Sequence, residues 1–155
     1  MAKVDTKTPV KSSAFTYAVG RRKESVARVR VYNSQNSTVT VFGNEYKVGD
    51  LVVNGKHASE YFRFGPYAPK YKRIFELTDT LGKYFISVKV VGGGIGGQLD
   101  AMLHGVARAF DKIDTEKYHT LLKENGYLTR DPRTRERRKV GTGGKARRQK
   151  QSPKR

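Results

Sequence analysis

From residue 25 to residue 32 the chain alternates, with Val29 and Val31 on one side and Arg28 and Arg30 on the other. A period of two predicts a half-buried strand with a basic outer face. Ahead of it, Phe15 to Val19 is a short apolar stretch that opens another strand, and Gly20-Arg21-Arg22-Lys23 reads as the basic turn between them. After a polar turn at Asn33 to Ser37, the β-branched run Thr38 to Phe42 predicts a further strand. Gly43-Asn44 and Gly49-Asp50 punctuate a hairpin-like stretch that ends at Leu51 to Val53 and Asn54-Gly55. His57 to Phe64 has the pattern of a short helix. Gly65, Pro66 and Pro69 break the chain after it, leaving Ile74 to Leu77 as a brief strand. Tyr84 to Val91 alternates most clearly, with Ile86, Val88 and Val90 sharing a face, and runs directly into Gly92-Gly93-Gly94-Ile95-Gly96-Gly97.

Beyond the glycines the period changes. Leu99, Met102, Leu103, Val106, Ala107 and Phe110 form an apolar stripe of helical spacing. Gly105 lies inside that helix at a cost of about 1 kcal/mol relative to Ala, which points to close packing or close approach of a ligand. Asp114 or Thr115 caps a second helix, with Tyr118, Leu121 and Leu122 inward and Asn125-Gly126 as its stop. No repeat of solenoid period is present. Strands first and helices afterwards predict a single α+β domain rather than alternating α/β.

Charge changes the picture at the ends. The 155 residues carry a net charge of +18 and only 36% hydrophobic residues. The segment from Arg130 to Arg155 holds 12 Lys or Arg against Asp131 and Glu136. With almost no apolar side chains it cannot offset the entropy of ordering, so it folds only against a polyanion, of which RNA and DNA are the densest. The body is basic as well, a statement about partners rather than fold. The chain thus divides into three regions: a disordered arm over 1–13, an α+β nucleic-acid-binding domain over 14–129, and an extended basic tail over 130–155. The arm lacks the apolar segment of a secretory signal, and with Asp5 and no Arg it does not read as a transit peptide. No apolar run is long enough for a membrane span. The absence of Cys excludes disulfides, thiolate catalysis and thiolate metal sites.

Several clusters admit two readings. Gly92, Gly94 and Gly97 match G-x-G-x-x-G, and Asp114 lies about 20 residues on, where a dinucleotide fold places its ribose-binding acid. Asp114 nevertheless falls between two helices instead of at a strand end, and Gln98-Leu99 replace the Lys and Ser/Thr of a Walker loop. Close strand–helix packing, or an RNA phosphate at the helix N-terminus, accounts for the glycines without a small-molecule substrate or cofactor. His57, His104 and His119 have no metal-ligand spacing, although His104 and Arg108, at i and i+4 off the apolar stripe, can meet a phosphate. No nucleophile-and-base constellation is present. Arg21, Arg22, Lys23, Arg28 and Arg30 form a basic cluster that is either solvated surface or a phosphate-contacting face. Between Tyr61 and Phe75 aromatic side chains interleave with Arg63, Lys70, Lys72 and Arg73. These rings suit stacking on unpaired bases or a place in the core, the latter favoured for Phe62 and Phe75.

Four segments together carry a likeness. Tyr17 to Val29 reads YAVGRRKESVARV, Gly92 to Phe110 reads GGGIGGQLDAMLHGVARAF, Tyr127 to Lys139 reads YLTRDPRTRERRK, and the chain closes on Lys154-Arg155. In these the chain resembles the family of the ninth protein of the small ribosomal subunit, in its bacterial or organellar form. The resemblance implies a four-stranded sheet with two helices, like the second domain of ribosomal protein S-five. It implies a cytoplasmic, non-catalytic protein bound to rRNA in the subunit head, near the proteins numbered seven, ten and fourteen. The rRNA-binding residues it implies are Arg21, Arg22, Lys23, Arg28, Arg30, His104 and Arg108 in the body. In the tail they are Arg130, Arg133, Arg135, Arg137, Arg138, Lys139, Lys145, Arg147, Arg148 and Lys150. Lys154 and Arg155 would touch the anticodon stem-loop of P-site tRNA. The chain departs from the family pattern at Thr142-Gly143-Gly144, at Pro153 and in a longer stretch from Gly43 to Gly55. The alternative partner for so basic a chain is nucleic acid at large, as for a nucleoid-type protein.

Overall fold

The computed structural model describes residues 15–33, 38–41 and 44–140; the arm over 1–13 and the tail cations from Lys145 onward lie outside them. Strands β1 (Phe15–Arg22) and β2 (Ser25–Tyr32) pair antiparallel about a turn at Lys23-Glu24. The predicted basic turn is therefore shorter than expected. Gly20, Arg21 and Arg22 continue the ladder opposite Ala27, Val26 and Ser25, and only Lys23, at φ 50°, bends the chain.

Strand β2 pairs on its other side with β7 (Phe85–Val91), antiparallel, and β7 pairs in parallel with β5 (Leu51–Val53). The sheet order is β1-β2-β7-β5 followed by β6 (Lys56–His57), five strands rather than four. The added strand β6 is joined to β5 by Asn54-Gly55, both at positive φ, the two-residue turn that matches strand twist. Strands β3 (Thr38–Val41) and β4 (Asn44–Lys47) form a separate hairpin.

Helices α2 (Tyr67–Leu77), α3 (Ile95–Ile113) and α4 (Thr115–Glu124) come after the one-turn α1 (Ala58–Tyr61). Ile74 to Leu77 is thus helical, not a strand. Pro66 and Pro69 start α2 instead of breaking it, because the first turn of a helix has N–H groups without intrahelical acceptors and loses nothing to proline. Helix α3 buries the whole predicted stripe from Leu99 to Phe110 against the sheet. Full burial of each large apolar side chain there contributes roughly 1.5–3 kcal/mol. Tyr118 and Leu122 of α4 complete this core, while Leu121, expected inside, is exposed.

The outer face of the sheet is divided. At one end Val39, Val41 and Tyr46 of the β3–β4 hairpin pack over Val52, Phe85 and Tyr32, with Tyr46 stacked on Phe85 at 5.4 Å. At the other end nothing among the described residues lies over Arg28, Arg30 and Lys89. The burial along β7 records the boundary: both faces are covered from Phe85 to Val88, after which Lys89 and Val91 emerge.

Candidate nucleic-acid interface

Strand β1 is an edge strand, and its free edge is covered by α3. The approach depends on two facing glycines. A Cβ at Gly20 would collide with the Ala101 carbonyl and the Gly105 backbone, and one at Gly105 would lie 2.7 Å from Val29 Cγ2. With both absent, the side chains flanking Gly105 reach the strand. Arg108 Nη1 donates to the Val19 carbonyl at 2.6 Å, and Lys112 Nζ donates to the Tyr17 carbonyl at 3.0 Å. The Arg21 N–H donates to His104 Nδ1 over a long 3.4 Å. Residues 104, 108 and 112 thus lace alternate edge groups of β1 at helical spacing. Burial, aided by the Arg108 charge, pushes the His104 imidazole below its ordinary pKa, consistent with a neutral ring that accepts a hydrogen bond.

The start of the tail is held by Arg22. After α4, Gly126 at φ 73° turns the chain back, and Tyr127 and Leu128 pack on the core. Arg22 Nη2 then lies 3.0 Å from Asp131 Oδ2, and Nη1 donates to the Arg133 carbonyl at 2.8 Å. Arg133 forks onto the same Asp131 carboxylate, at 3.0 and 2.7 Å. Hydrogen bonds from the Arg133 side chain and backbone, with the Arg22 charge behind them, hold the Asp131 carboxyl well below the usual carboxylate range. Asp100 joins from α3, 3.7 Å from Arg22 Nε and 2.7 Å from Lys70 Nζ. These residues border a cleft of about 390 Å³ whose rim also carries Arg21, Arg73 and Arg130. Six cations against two carboxylates leave the cleft with a net positive charge that favours an oligoanion.

Arg28 and Arg30 occupy the open end of the outer sheet face. Lys23 and Arg135 flank a second groove with Gly93 to Gly97. Arg137, Arg138 and Lys139 come next in irregular chain, with Arg137 and Lys139 exposed and Arg138 half-buried.

Packing accounts for Gly92, Gly93 and Gly97 of the glycine run, and not for Gly94. Gly92 and Gly93 have φ of 77° and 61°, and side chains there would strike Glu24 and Ser25 of the β1–β2 turn. Ser25 Oγ donates to the Gly92 carbonyl at 3.1 Å. Asp114 has a local task of its own, accepting the Lys117 N–H at 3.0 Å as the cap of α4.

The model of the family described as ribosomal protein S9/S16 matches residues 20–155. The small ribosomal subunit protein uS9 of Maridesulfovibrio salexigens is 41% identical over 133 residues, covering 86% of this chain and 92% of that protein. The protein of the same name from Dehalococcoides mccartyi is 40% identical over 132 residues, covering 85% and 89%. The chain belongs to the ribosomal protein S9/S16 family. Its match opens at Gly20, the glycine that admits α3, and extends through the glycine run and the tail.

Within this S9/S16 chain the structure separates the aromatic residues that the sequence left open. Phe62 and Tyr71 are buried, Tyr67 and Phe75 are packed against the core, and Phe64 is 63% exposed. His119 contacts Asp111 at 2.8 Å, and His57 is exposed beside Tyr46. No group of three or more His, Asp or Glu among the described residues could hold a metal. From sequence, Lys70 and Arg73 stand out only as cations among aromatic side chains, and Lys112 does not stand out. Lys70 and Arg73 share one face only once α2 is seen to be a helix. Lys89 is not among the residues expected from sequence, although its alternation against Ile86, Val88 and Val90 is a signal that marks it as outward-facing.

Proposed function

We infer that this chain is a structural constituent of the small ribosomal subunit, acting in the cytoplasm by binding rRNA and not as an enzyme. Membership of the S9/S16 family carries this reading, and the cation-rimmed cleft at the tail root gives it a physical basis. Arginine forks at such a cleft contact phosphate without reading sequence, which suits a protein that holds one particular RNA fold. In the finer form of the proposal, Arg21, Lys23, Arg28 and Arg30 contact rRNA from the body and Arg130 from the start of the tail. Arg133 to Lys150 track rRNA outward, Lys154 and Arg155 touch the backbone of P-site tRNA, and the neighbours are the head proteins numbered seven, ten and fourteen.

The test is co-sedimentation. The full chain is expected to remain with the small subunit through a high-salt wash and to prefer small-subunit rRNA over duplex DNA at physiological salt. Equal affinity for both would point to a nucleoid-type protein. Deleting Lys154 and Arg155 is expected to weaken P-site tRNA binding while assembly continues; failed assembly would assign the tail an architectural role instead.

A further inference from the structure

The open end of the outer sheet face is a surface without a folding rationale. The β2–β7 register sets Arg28 directly opposite Lys89, and Arg30 stands two residues along the same strand. Like charges directly opposite in an antiparallel pair are destabilising. Neither Arg28 nor Lys89 meets a carboxylate among the described residues, and all three cations are exposed. Arg30 is steadied from one side, its guanidinium 5.3 Å above the Phe15 ring. Tyr17, opposite Arg30 on β1, is 42% exposed and borders the patch. The chain's own remaining segments do not answer this charge: residues 1–14 contain one carboxylate, Asp5, against three lysines, and residues 141–155 contain none.

We propose that Arg28, Arg30 and Lys89 form a backbone-tracking face that seats consecutive phosphates of one RNA strand, independently of base sequence. The proposal deepens the rRNA-binding reading and rests on it. Side chains two residues apart on a strand stand about 7 Å apart, a spacing close to that of neighbouring phosphates on one nucleic-acid strand. Arg28 and Lys89 together meet one phosphate, and Arg30 meets the next. The β3–β4 hairpin bounds the track at one end by covering Phe85 and Tyr32. The folded protein carries the repulsion between Arg28 and Lys89 until the RNA removes it.

The experiment replaces all three cations in the full chain, Arg28→Gln with Arg30→Gln and Lys89→Gln. Binding to small-subunit rRNA is measured over a potassium chloride series, alongside thermal melts. A control variant, Lys72→Gln with Lys83→Gln and Lys123→Gln, removes equal charge from helix surfaces and the loop before β7. The face variant should lose affinity roughly 10- to 100-fold, with the slope of log K against log salt shallower by about 2 to 3. Its melting temperature should be unchanged or higher, because the like-charge pair is gone. The control should lose much less. Equal losses in the two variants overturn the proposal in favour of a general field, and a lowered melting temperature overturns it in favour of a structural role. Unchanged rRNA affinity with a lost contact to a neighbouring protein overturns it in favour of an acidic protein partner. A wild-type chain that fails to bind rRNA sinks the underlying functional reading too, whereas wild-type binding with an unaffected face variant sinks this face alone.

Discussion

His104, Arg108 and Lys112 on α3 and Arg28, Arg30 and Lys89 on the outer sheet face are two triplets of polar, mostly cationic side chains. The first triplet faces an edge strand with free backbone groups, and its members are bound to Arg21 N–H and to the Val19 and Tyr17 carbonyls. The second meets no carboxylate among the described residues, has only the Phe15 ring beside Arg30, and contains a directly opposed like-charge pair. Charge alone does not separate a cation that completes a fold from one that awaits a ligand; the groups opposite it do. The lace also blunts the edge of β1 against pairing with another chain.

The comparison breaks most severely at the glycine contact. Gly20→Ala should cost roughly 3 kcal/mol or more in urea unfolding, since the added Cβ meets helix backbone that cannot move aside. A variant of near wild-type stability would mean that α3 does not sit as close to β1 as described. Next in size is Arg22→Ala, which should free Asp131 and Arg133. Limited proteolysis after Arg133 and Arg135 should accelerate several-fold with only a small change in melting temperature. Because the Asp131 carboxyl is held low, the latch it forms is present above the ordinary carboxylate range and lost only as pH falls through the depressed value. Between pH 5 and 8 the cleavage pattern should therefore be constant.

A smaller effect sharpens the contrast between the triplets. Arg108→Ala should cost about 1 kcal/mol by leaving the Val19 carbonyl without its donor, and should lower rRNA affinity less than Arg28→Gln. Should the two affinity losses prove equal, the triplets do not differ in kind. The smallest effect concerns His104. Its folded-state pKa lies below the ordinary 6.5, so its contribution is present above that value and lost as pH falls through the lower folded pKa. The Arg21 amide resonance should shift with a midpoint below 6.5; a midpoint above it would contradict a half-buried, neutral imidazole.

The contrast also shows what was legible in the chain itself. The alternation of Arg28, Val29, Arg30 and Val31 gave both the strand and its basic face, and the stripe from Leu99 to Phe110 gave α3, because both depend only on local period. The spacing of His104 and Arg108 was visible too, but their partners were not. Which strand is an edge is settled by topology, and Val19 is 89 residues from Arg108. Helix α2 was obscured because Pro66 and Pro69 suggest a break, and the permissiveness of a first helical turn applies only once the helix start is known. Arg22 reads in sequence as part of a basic turn; its engagement with Asp131 depends on the chain returning after α4.

That return has a consequence for how a second contact is made. The latch fixes the chain at Arg133, and the 22 residues that follow it span at most about 75 Å. Once the body is seated on RNA, any anion within that radius is met by the chain end as an intramolecular partner, at an effective concentration set by tether length rather than by protein supply. A tip that binds its target weakly in isolation would then be well occupied. Releasing Arg22 from Asp131 would remove one fixed point of that tether without altering a residue at its tip.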